Sequence, residues 1–329
     1  MALSKVNPNF VNVSQVGGRR NLIINGAMQV AQRGTSSTGT AGYQTVDRFT
    51  FSNSNTNTTI TQSQQQDGPN GFQYCVEFKN TTAGTPASNA YLEPQTRLEG
   101  NDARILNQSD AFTLSFYYKS NITATLPVQI YHRTDANSNW TMWKGVSVIG
   151  DGEWHRAELT FTKNTAVAAD PKTGTDWGFI VGMNFELGTD YVNTSNENVW
   201  ENNGSVKGPN FGLCGSLNNY IRITGMQVEI GDTATPFEHR SYGEELALCQ
   251  RYYEKGNVYF LCNVNGSQWV HSYKFHVEKR TTPALTKSIS SDGGGDYISA
   301  NGVESFKAGK DGGSVGRTYS GTWTADAEL

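Results

Sequence analysis

The chain has 329 residues and a formal net charge of −4, and only 17% of its residues are charged. This acidic balance, with no stripe of Lys and Arg, argues against nucleic-acid binding. No apolar run approaches the roughly 20 residues that cross a bilayer, and the first residues show no signal-peptide h-region, so membrane insertion is not expected. The 35 Gly residues and 11% aromatic residues are typical of a folded β protein with many turns, made soluble in a cytoplasm.

Residues 1–20 show no sustained periodicity and end in a glycine pair followed by two arginines. By pattern alone, such a segment is a free terminal tail. From residue 21 to 240, short alternating runs are separated by turn signals, and no helical pattern intervenes. Because strands that do not alternate with helices form antiparallel sheets, we predict an all-β, jelly-roll-like antiparallel sandwich over residues 21–240.

The alternation of apolar and polar residues also predicts the strands and their faces. In the run 177–187, Trp177 shares one parity with Phe179, Val181, Met183 and Phe185. Pro94 predicts a strand that lies at a sheet edge or is bulged, because proline cannot donate to a ladder. The predicted strands are 46–52, 57–63, 74–79, 90–97, 112–119, 126–133, 141–148, 154–162 and 177–187.

Two connections are predicted within this region. The runs 141–148 and 154–162 resemble a strand pair joined by the turn Gly150-Asp151-Gly152. The segment 188–219 is rich in Asn and Gly and is predicted to be a long loop that carries Trp200. Loops of this length are usually functional or mobile.

The last strand of the sandwich changes phase midway. Ile221 and Ile223 share one parity, whereas Met226 and Val228 share the other. A bulge at Thr224-Gly225 would keep both sets facing the core. The turn residues that follow, and then a proline, predict that the chain leaves the sheet near residue 236.

A linking helix is predicted over residues 241–255. Ser241 and Glu244 have the spacing of a capping box. Apolar residues cover more than half of the circumference of this helix, so it needs cover on several sides. It is expected either to be wedged between the sandwich and the region after it, or between subunits, or to lie across one end of a single sandwich.

The remaining residues, 256–329, are predicted to form a small β tip domain. About 75 residues with many glycines provide a small core, and such a domain is stabilised more easily when it oligomerises. Its predicted strands are 258–264, 269–278, 285–290, 297–300, 303–306 and 318–324.

Four segments carry a resemblance to a known family. They read RRNLIINGAMQVAQRGTS, GYQTVDRF, ITGMQVEIGDTATPFEHRSYGEELALCQRYYEK and WTADAEL. They resemble the tail-fibre and receptor-binding proteins of tailed phages, particularly marine and cyanobacterial ones, and together they bracket nearly the whole chain. The resemblance implies a virion protein whose residues 1–20 anchor it to other tail proteins and whose tip forms a homotrimer. It identifies no catalytic or binding residue.

No motif for catalysis or cofactor binding is present, so no cofactor and no metal site are predicted. The four cysteines have no CxxC spacing, and we expect buried free thiols; they are Cys75, Cys214, Cys249 and Cys262. The five histidines lack metal-ligand spacing and are interpreted as structural or surface residues. Two carboxylate pairs could be imagined as the acid pair of a glycanase, Glu93 with Glu99 and Asp151 with Glu153, but any β protein of this size offers such coincidences.

Aromatic residues are the better candidates for binding. Sugar rings stack their C–H faces on flat aromatic rings, while nearby polar side chains satisfy the hydroxyls. The alternative is that each aromatic residue belongs to a subunit interface or to the core. The glycan-binding candidates are Tyr117, Tyr131, Trp140, Trp143, Trp200, Trp269 and Tyr297.

Three functions remain open from the sequence. The first is a phage appendage protein, without enzymatic activity, that recognises host-surface glycan. The second is a purely structural virion component, either a capsid decoration or a tail-assembly protein. The third is a polysaccharide depolymerase, for which the sequence offers no recognisable acid pair.

Overall fold

The structure, a computed structural model, describes residues 19–107, 109–202, 204–261, 269–289, 295–310 and 315–329. Of Trp269 and Asp296 only the backbone is described. Residues 1–18 of the predicted arm and Cys262 lie outside the described residues. Within the described ranges, no helix has both the length and the apolar character needed to cross a bilayer.

The sandwich region runs from Ser36 to Ile230 and consists mainly of strands. In chain order they are β1 (Ser36–Thr38), β2 (Gly42–Tyr43), β3 (Phe49–Ser54), β4 (Ile60–Gln65), β5 (Cys75–Asn80), β6 (Tyr91–Glu99), β7 (Ala111–Ser120), β8 (Ala124–Arg133), β9 (Asn139–Val148), β10 (His155–Thr162), β11 (Trp177–Met183), β12 (Glu186–Leu187), β13 (Glu201–Asn202) and β14 (Tyr220–Ile230). The connections include the short helices α1 (Gly100–Ala103) and α2 (Thr165–Ala169) and the 3-10 turns Arg104–Asn107 and Leu213–Gly215.

These strands form two antiparallel sheets whose inner faces share one core. The six-stranded sheet has the order β1-β4-β5-β14-β7-β10. The eight-stranded sheet has the order β13-β9-β8-β11-β6-β3-β2, and β12 also pairs with β6. Phe112 and Phe116 of the first sheet meet Ile130 and Phe179 of the second in this core, and all four are fully buried. The predicted jelly-roll-like antiparallel sandwich is confirmed.

The predicted bulge in β14 is confirmed. The register of β14 against β7 shifts between Thr224 and Gln227. Gly225 lies in the bulge with a φ of 62°, a left-handed conformation that favours glycine. The extra residue lets the apolar side chains on both sides of the bulge face the same core.

The predicted pairing of residues 141–148 with residues 154–162 is wrong. The strand β9 pairs with β8 and β13, whereas β10 pairs with β7, so the turn between them crosses from one sheet to the other. Alternation shows only that each strand has one buried face. Strands of both sheets bury this face in the same core, whichever sheet they belong to. The pattern therefore does not distinguish a hairpin from a crossover.

Pro94 lies on an internal strand, and the expectation of an edge strand is wrong. On one side of β6 lies β3, in which Phe51 is opposite Pro94. On the other side, the ladder to β11 ends at Gln95 and the ladder to β12 begins at Leu92. The proline falls in the gap between these two ladders, where its missing N–H is not needed.

The capped helix α3 (Tyr242–Gln250) follows the sandwich. Its capping box is confirmed: the Glu244 N–H donates to Ser241 Oγ at 3.3 Å, and the Ser241 N–H donates to Glu244 Oε2 at 2.9 Å. The helix ends earlier than residue 255, because the chain from Tyr253 onward pairs as a strand, with Tyr253 opposite Asp326.

The C-terminal region contains two three-stranded antiparallel sheets. Its strands are β15 (Tyr253–Leu261), β16 (Trp269–Lys274), β17 (Ala284–Ile289), β18 (Asp296–Ala300), β19 (Ser305–Lys310) and β20 (Thr318–Asp326). The sheet orders are β15-β20-β17 and β16-β19-β18. Phe260, Phe275, Phe306 and Trp323 form a small core of their own. This region covers the residues predicted to form a small β tip domain, and their assignment as a separate tip stays a prediction.

In the chain, the helix α3 lies between β14 of the sandwich and β15 of the C-terminal region. Its placement as a helix wedged between two regions stays a prediction. Cys249 and Tyr252 pack with Ile24 of the segment that precedes the sandwich. Arg251 donates to both carboxylate oxygens of Glu99 on β6, at 2.9 and 3.0 Å. Apolar and charged contacts thus join the helix to the sandwich.

Candidate functional site

A bulge in β11 turns Trp177 away from the core. Along β11, Phe179 is opposite Leu98 and faces the core, whereas Trp177 is opposite Glu99 on the outer face, because the register shifts between them. The Trp177 ring lies on the outer face of the eight-stranded sheet, with the Arg133 guanidinium 4.6 Å from its centre. Trp177 and Phe179 share one parity in the sequence, yet the register shift places them on opposite faces of the sheet. Gly178, next to Trp177, is the sequence signal for this bulge, since a glycine inside a strand often marks one.

Three neighbouring strands place a row of side chains beside Trp177. Ile180 on β11 is opposite Tyr131 on β8 and Arg97 on β6, and all three lie on the outer face. The Tyr131 hydroxyl donates to Glu93 Oε1 at 2.7 Å. Tyr131 therefore lies on the outer face, as its parity predicts.

Polar side chains continue along β6. Gln95 Nε2 donates to Glu93 Oε2, and Arg97 Nη2 donates to Gln95 Oε1 at 2.9 Å. Arg97 Nη1 donates to the main-chain oxygen of Leu329 at 2.5 Å. Alternate residues of one strand, which share a face, thus form one chain of hydrogen bonds.

Two segments cover the ends of this face. At one end, Gln129 Nε2 donates to the Ser205 oxygen at 2.6 Å, and the Lys207 N–H donates to Gln129 Oε1 at 3.0 Å. At the other end, the Tyr43 hydroxyl donates to the Leu329 oxygen at 3.2 Å. The strip between them is called the groove below. Its residues are Glu93, Gln95, Arg97, Tyr131, Arg133, Trp177 and Ile180.

The groove combines partly exposed groups with a buried acid. Arg97, Arg133 and Trp177 are partly exposed. Tyr131, Ile180 and Gln95 are buried, and Glu93 is only 2% exposed. Burial raises the pKa of Glu93 to about 7, against smaller opposing effects of its hydrogen bonds from Tyr131 and Gln95. Arg133 forms an ion pair with Asp176 at 3.1 Å, and its buried Nε has no hydrogen-bond partner among the residues that the structure describes.

Three predicted tryptophans lie elsewhere on the sandwich. Trp143 points outward from β9 but is 4% exposed, with Gly208 of the long loop packed against it. Trp140 is half-buried. Trp200 is partly buried against the core, and its indole N–H donates to the Thr162 oxygen at 3.0 Å. Trp143 therefore lacks the open ring face that stacking on a sugar requires. The assignments of Trp140 and Trp200 as glycan-binding residues stay predictions.

Tyr117 lies on the outer face of the opposite, six-stranded sheet. Its ring centre is 5.3 Å from that of Phe72, which also contacts Phe237 at 5.0 Å and His239 at 5.1 Å. All but the exposed His239 are partly buried. The structure thus separates Tyr117 from Tyr131, and the two cannot contact the same sugar unit.

The two candidates in the C-terminal region also lie apart from the groove in the fold. Tyr297 is partly buried on β18, and its hydroxyl is 2.9 Å from Ser299 Oγ. The side chain of Trp269 lies outside the described atoms. Their assignment as glycan-binding residues stays a prediction.

The imagined carboxylate pairs are not arranged for glycoside hydrolysis. Glu93 and Glu99 are six residues apart on one strand, which corresponds to about 20 Å, whereas acid pairs are about 5 to 10 Å apart. Glu99 is also bound by Arg251 and by the Tyr252 hydroxyl. Asp151 accepts a hydrogen bond from the Glu153 N–H and contacts the His155 ring at 3.0 Å.

The described residues also bear on cysteine and metal chemistry. Cys75, Cys214 and Cys249 are free and buried, as expected. Burial raises the pKa of the Cys75 and Cys214 thiols to about 12, so neither is a nucleophile at neutral pH. In the part of the chain that the structure describes, no three His, Cys, Asp or Glu side chains are grouped to hold a metal ion.

Comparison of the sequence with protein-family models and with curated proteins finds no match. Solved structures with some likeness include the enzymatically active domain of tailspike protein 4 of bacteriophage CBA120, with 12% identity and a TM-score of 0.35 over 64% of this chain and 21% of that one. A family 11 carbohydrate-binding module of Clostridium thermocellum, solved with a mixed-linked tetrasaccharide, has 10% identity and a TM-score of 0.29 over 66% and 97%. Discoidin II of Dictyostelium discoideum has 9% identity and a TM-score of 0.19 over 79% and 85%. Likenesses of this size carry no argument about function.

Proposed function

We propose that the protein is a phage virion appendage protein, a tail fibre or receptor-binding protein, that binds host-surface glycan in the groove. The observation that carries the binding proposal is the partly exposed indole of Trp177, which stacks on the Arg133 guanidinium on an outer sheet face that also carries the partly exposed Arg97. A core residue has no need of such polar neighbours. The virion location rests on the sequence resemblance described above.

The chemistry of the groove suits a sugar. The apolar C–H face of a pyranose ring stacks on an indole, and its hydroxyls need donors and acceptors around it. Arg97 and Arg133 supply donors in a fixed planar geometry. Stacking on Trp177 holds the Arg133 guanidinium in place, so less side-chain entropy is lost when a ligand binds. Each recognition element is therefore preorganised.

We further propose that the protein is not an enzyme, that it forms a homotrimer and that residues 1–20 attach it to other tail proteins. Binding without hydrolysis agrees with the separation of Glu93 from Glu99. Oligomerisation agrees with the small core of the C-terminal region. Neither nucleic acid nor a membrane interior is a partner in this proposal.

A printed array of defined oligosaccharides tests the binding site directly. We expect the purified protein to bind a subset of them and Trp177→Ala to weaken that binding about tenfold, because an aromatic stack contributes about 1 kcal/mol or more. Tyr242→Ala is the matched control, since Tyr242 is an exposed aromatic residue (55%) on the helix, outside the groove.

The outcome also separates the proposal from its alternatives. If both variants lose binding equally, or if Trp177→Ala binds as well as the wild type, the glycan does not bind in the groove. Absence of binding to the array and to host cells, with normal folding and assembly, would favour a purely structural virion component. Release of shortened sugar from host envelope would instead indicate a depolymerase.

A further inference from the structure

Two arginines flank Trp177 on the outer face of the eight-stranded sheet. The strand β11, which carries Trp177, lies between β8 and β6, and these neighbours carry Arg133 and Arg97. Both arginine side chains are partly exposed, as is the indole. Because neighbouring strands lie about 5 Å apart, a ligand that contacts the indole is within reach of both guanidinium groups.

Both guanidinium groups keep N–H groups for a ligand. Within the described residues, Arg97 donates three hydrogen bonds, two to Gln95 Oε1 and one to the main-chain oxygen of Leu329. Arg133 donates one, to Asp176 Oδ2 at 3.1 Å. A guanidinium group has five N–H groups, so these bonds saturate neither arginine.

The charged side chains of the groove have an excess of positive charge. Asp176, an acid that is 55% exposed, is shared by two cations, Arg133 at 3.1 Å and Lys172 at 3.9 Å. The oxygens that accept from Arg97 belong to an amide side chain and to the main chain rather than to a carboxylate side chain. Glu93 has a pKa of about 7, so at neutral pH it compensates this charge in part.

Charges next to the groove do not reverse this excess. Glu99 accepts hydrogen bonds from Arg251 at 2.9 and 3.0 Å, so these two charges oppose each other. Asp135 and Asp170, on the loops that follow β8 and α2, accept hydrogen bonds from main-chain N–H groups. Arg280 supplies a further cation, since the oxygens that it binds belong to the main chain. The chain as a whole is acidic, with a net charge of −4, so the excess of cations is local to this face.

We propose that the groove selects an acidic sugar, whose carboxylate or sulfate group binds to Arg97 and Arg133 while the sugar contacts Trp177. This inference rests on the proposed function and names the class of glycan that the groove takes. Planar guanidinium groups bind such oxyanions through paired, charge-assisted hydrogen bonds, which are stronger than bonds to a neutral hydroxyl. A neutral sugar leaves the positive charge of the groove uncompensated.

Paired oligosaccharides test the class of ligand on the wild-type protein. Each pair contains one compound with a uronic acid and the same compound with its carboxyl group reduced to an alcohol, and a third compound carries a sulfate ester instead. We expect the uronate or the sulfated compound to bind about tenfold more tightly than the neutral one at low salt, because hydrogen bonds to an ionised group are about twice as strong as neutral ones. Raising the salt concentration should narrow this difference.

Variants of one arginine test whether the preference arises in the groove. Arg133→Gln removes the charge and keeps an amide donor, so it should weaken binding of the anionic compound about tenfold more than binding of the neutral one. Arg133→Lys keeps the charge and should retain the dependence on salt. Arg104→Gln is the matched control, since Arg104 is an exposed arginine outside the groove.

The outcomes separate this inference from the proposed function. If anionic and neutral compounds bind equally, or if Arg133→Gln weakens both equally, the groove does not select an acidic sugar, while glycan binding stands. Loss of the preference in Arg104→Gln as large as in Arg133→Gln would also overturn the inference, because the selection would then reflect overall charge. If no oligosaccharide of any charge binds, the proposed function and this inference both fail.

Discussion

The bulge in β14 allows a quantitative test of how firmly the aromatic residues on the six-stranded sheet are held. Gly225 combines a left-handed φ of 62° with close neighbours: an added Cβ would lie 2.8 Å from the Phe72 ring and 2.9 Å from the Tyr117 ring. Gly225→Ala therefore introduces two separate penalties, a strained backbone and an overpacked contact.

A second glycine separates these penalties. Gly212 has a φ of 80°, but no atom lies within 4 Å of an added Cβ. Gly212→Ala should thus show only the backbone penalty, about 1 kcal/mol. Gly225→Ala should add about 1 to 3 kcal/mol of overpacking and destabilise the protein by about 3 kcal/mol in total.

Urea unfolding of the wild type, Gly212→Ala and Gly225→Ala measures both losses of stability. The comparison requires that the unfolding free energy has the same slope against urea concentration in all three proteins. A difference of about 2 kcal/mol between the two variants would show that Phe72 and Tyr117 are fixed against the bulge. Equal destabilisation would refute the reasoning, because it would mean that the loop carrying Phe72 moves aside without loss. In that case the aromatic contacts contribute little to folding.

Three further predictions concern the acid in the groove, the junction and the arm. Burial raises the pKa of Glu93 from 4.5 to about 7, so the folded state holds this proton more tightly than the unfolded chain does. The free energy of unfolding should therefore fall by about 3 kcal/mol as the pH rises from 4.5 to 7. Urea unfolding at several pH values gives the free energy of unfolding of the wild type and of Glu93→Gln, and the difference between them isolates this contribution. If the two free energies change with pH in parallel, the prediction is contradicted. Arg251→Ala removes the bidentate partner of the buried Glu99 and should lower stability by about 2 kcal/mol in the same assay; Lys at this position should recover part of the loss. Removal of residues 1–20 should leave the number of subunits in solution and glycan binding unchanged, while a loss of either would show that these residues do more than the attachment proposed for them.

Local signals in the sequence predicted local structure well. The phase change in the last sandwich strand required one extra residue, and the bulge lies at Gly225, where glycine can adopt a left-handed conformation. The Ser241 and Glu244 spacing likewise predicted the start of the helix. The end of the helix was not predictable from the same residues. Tyr253 pairs as a strand residue with Asp326, 73 positions later, so a distant contact ends the helix.

The groove was only partly predictable for a related reason. Tyr131 lies on the outer face because alternation is a property of one strand. The sequence gives Trp177 the same parity as the core residue Phe179, but the bulge between them places Trp177 on the outer face of the sheet. Glu93 and Arg97 become neighbours of Tyr131 only through β11, which lies between their strands. Pairing of strands depends on the whole core, and no short pattern specifies it.

The two aromatic surfaces of the sandwich point in opposite directions. One is the groove, and the other is the contact of Phe72 with Tyr117 on the far sheet, beyond a core about 10 Å thick. In the proposed function, a molecule whose groove lies on host-surface glycan therefore turns the second surface away from that glycan. The core lies between the two surfaces, so a side chain on one outer face does not reach a molecule that contacts the other.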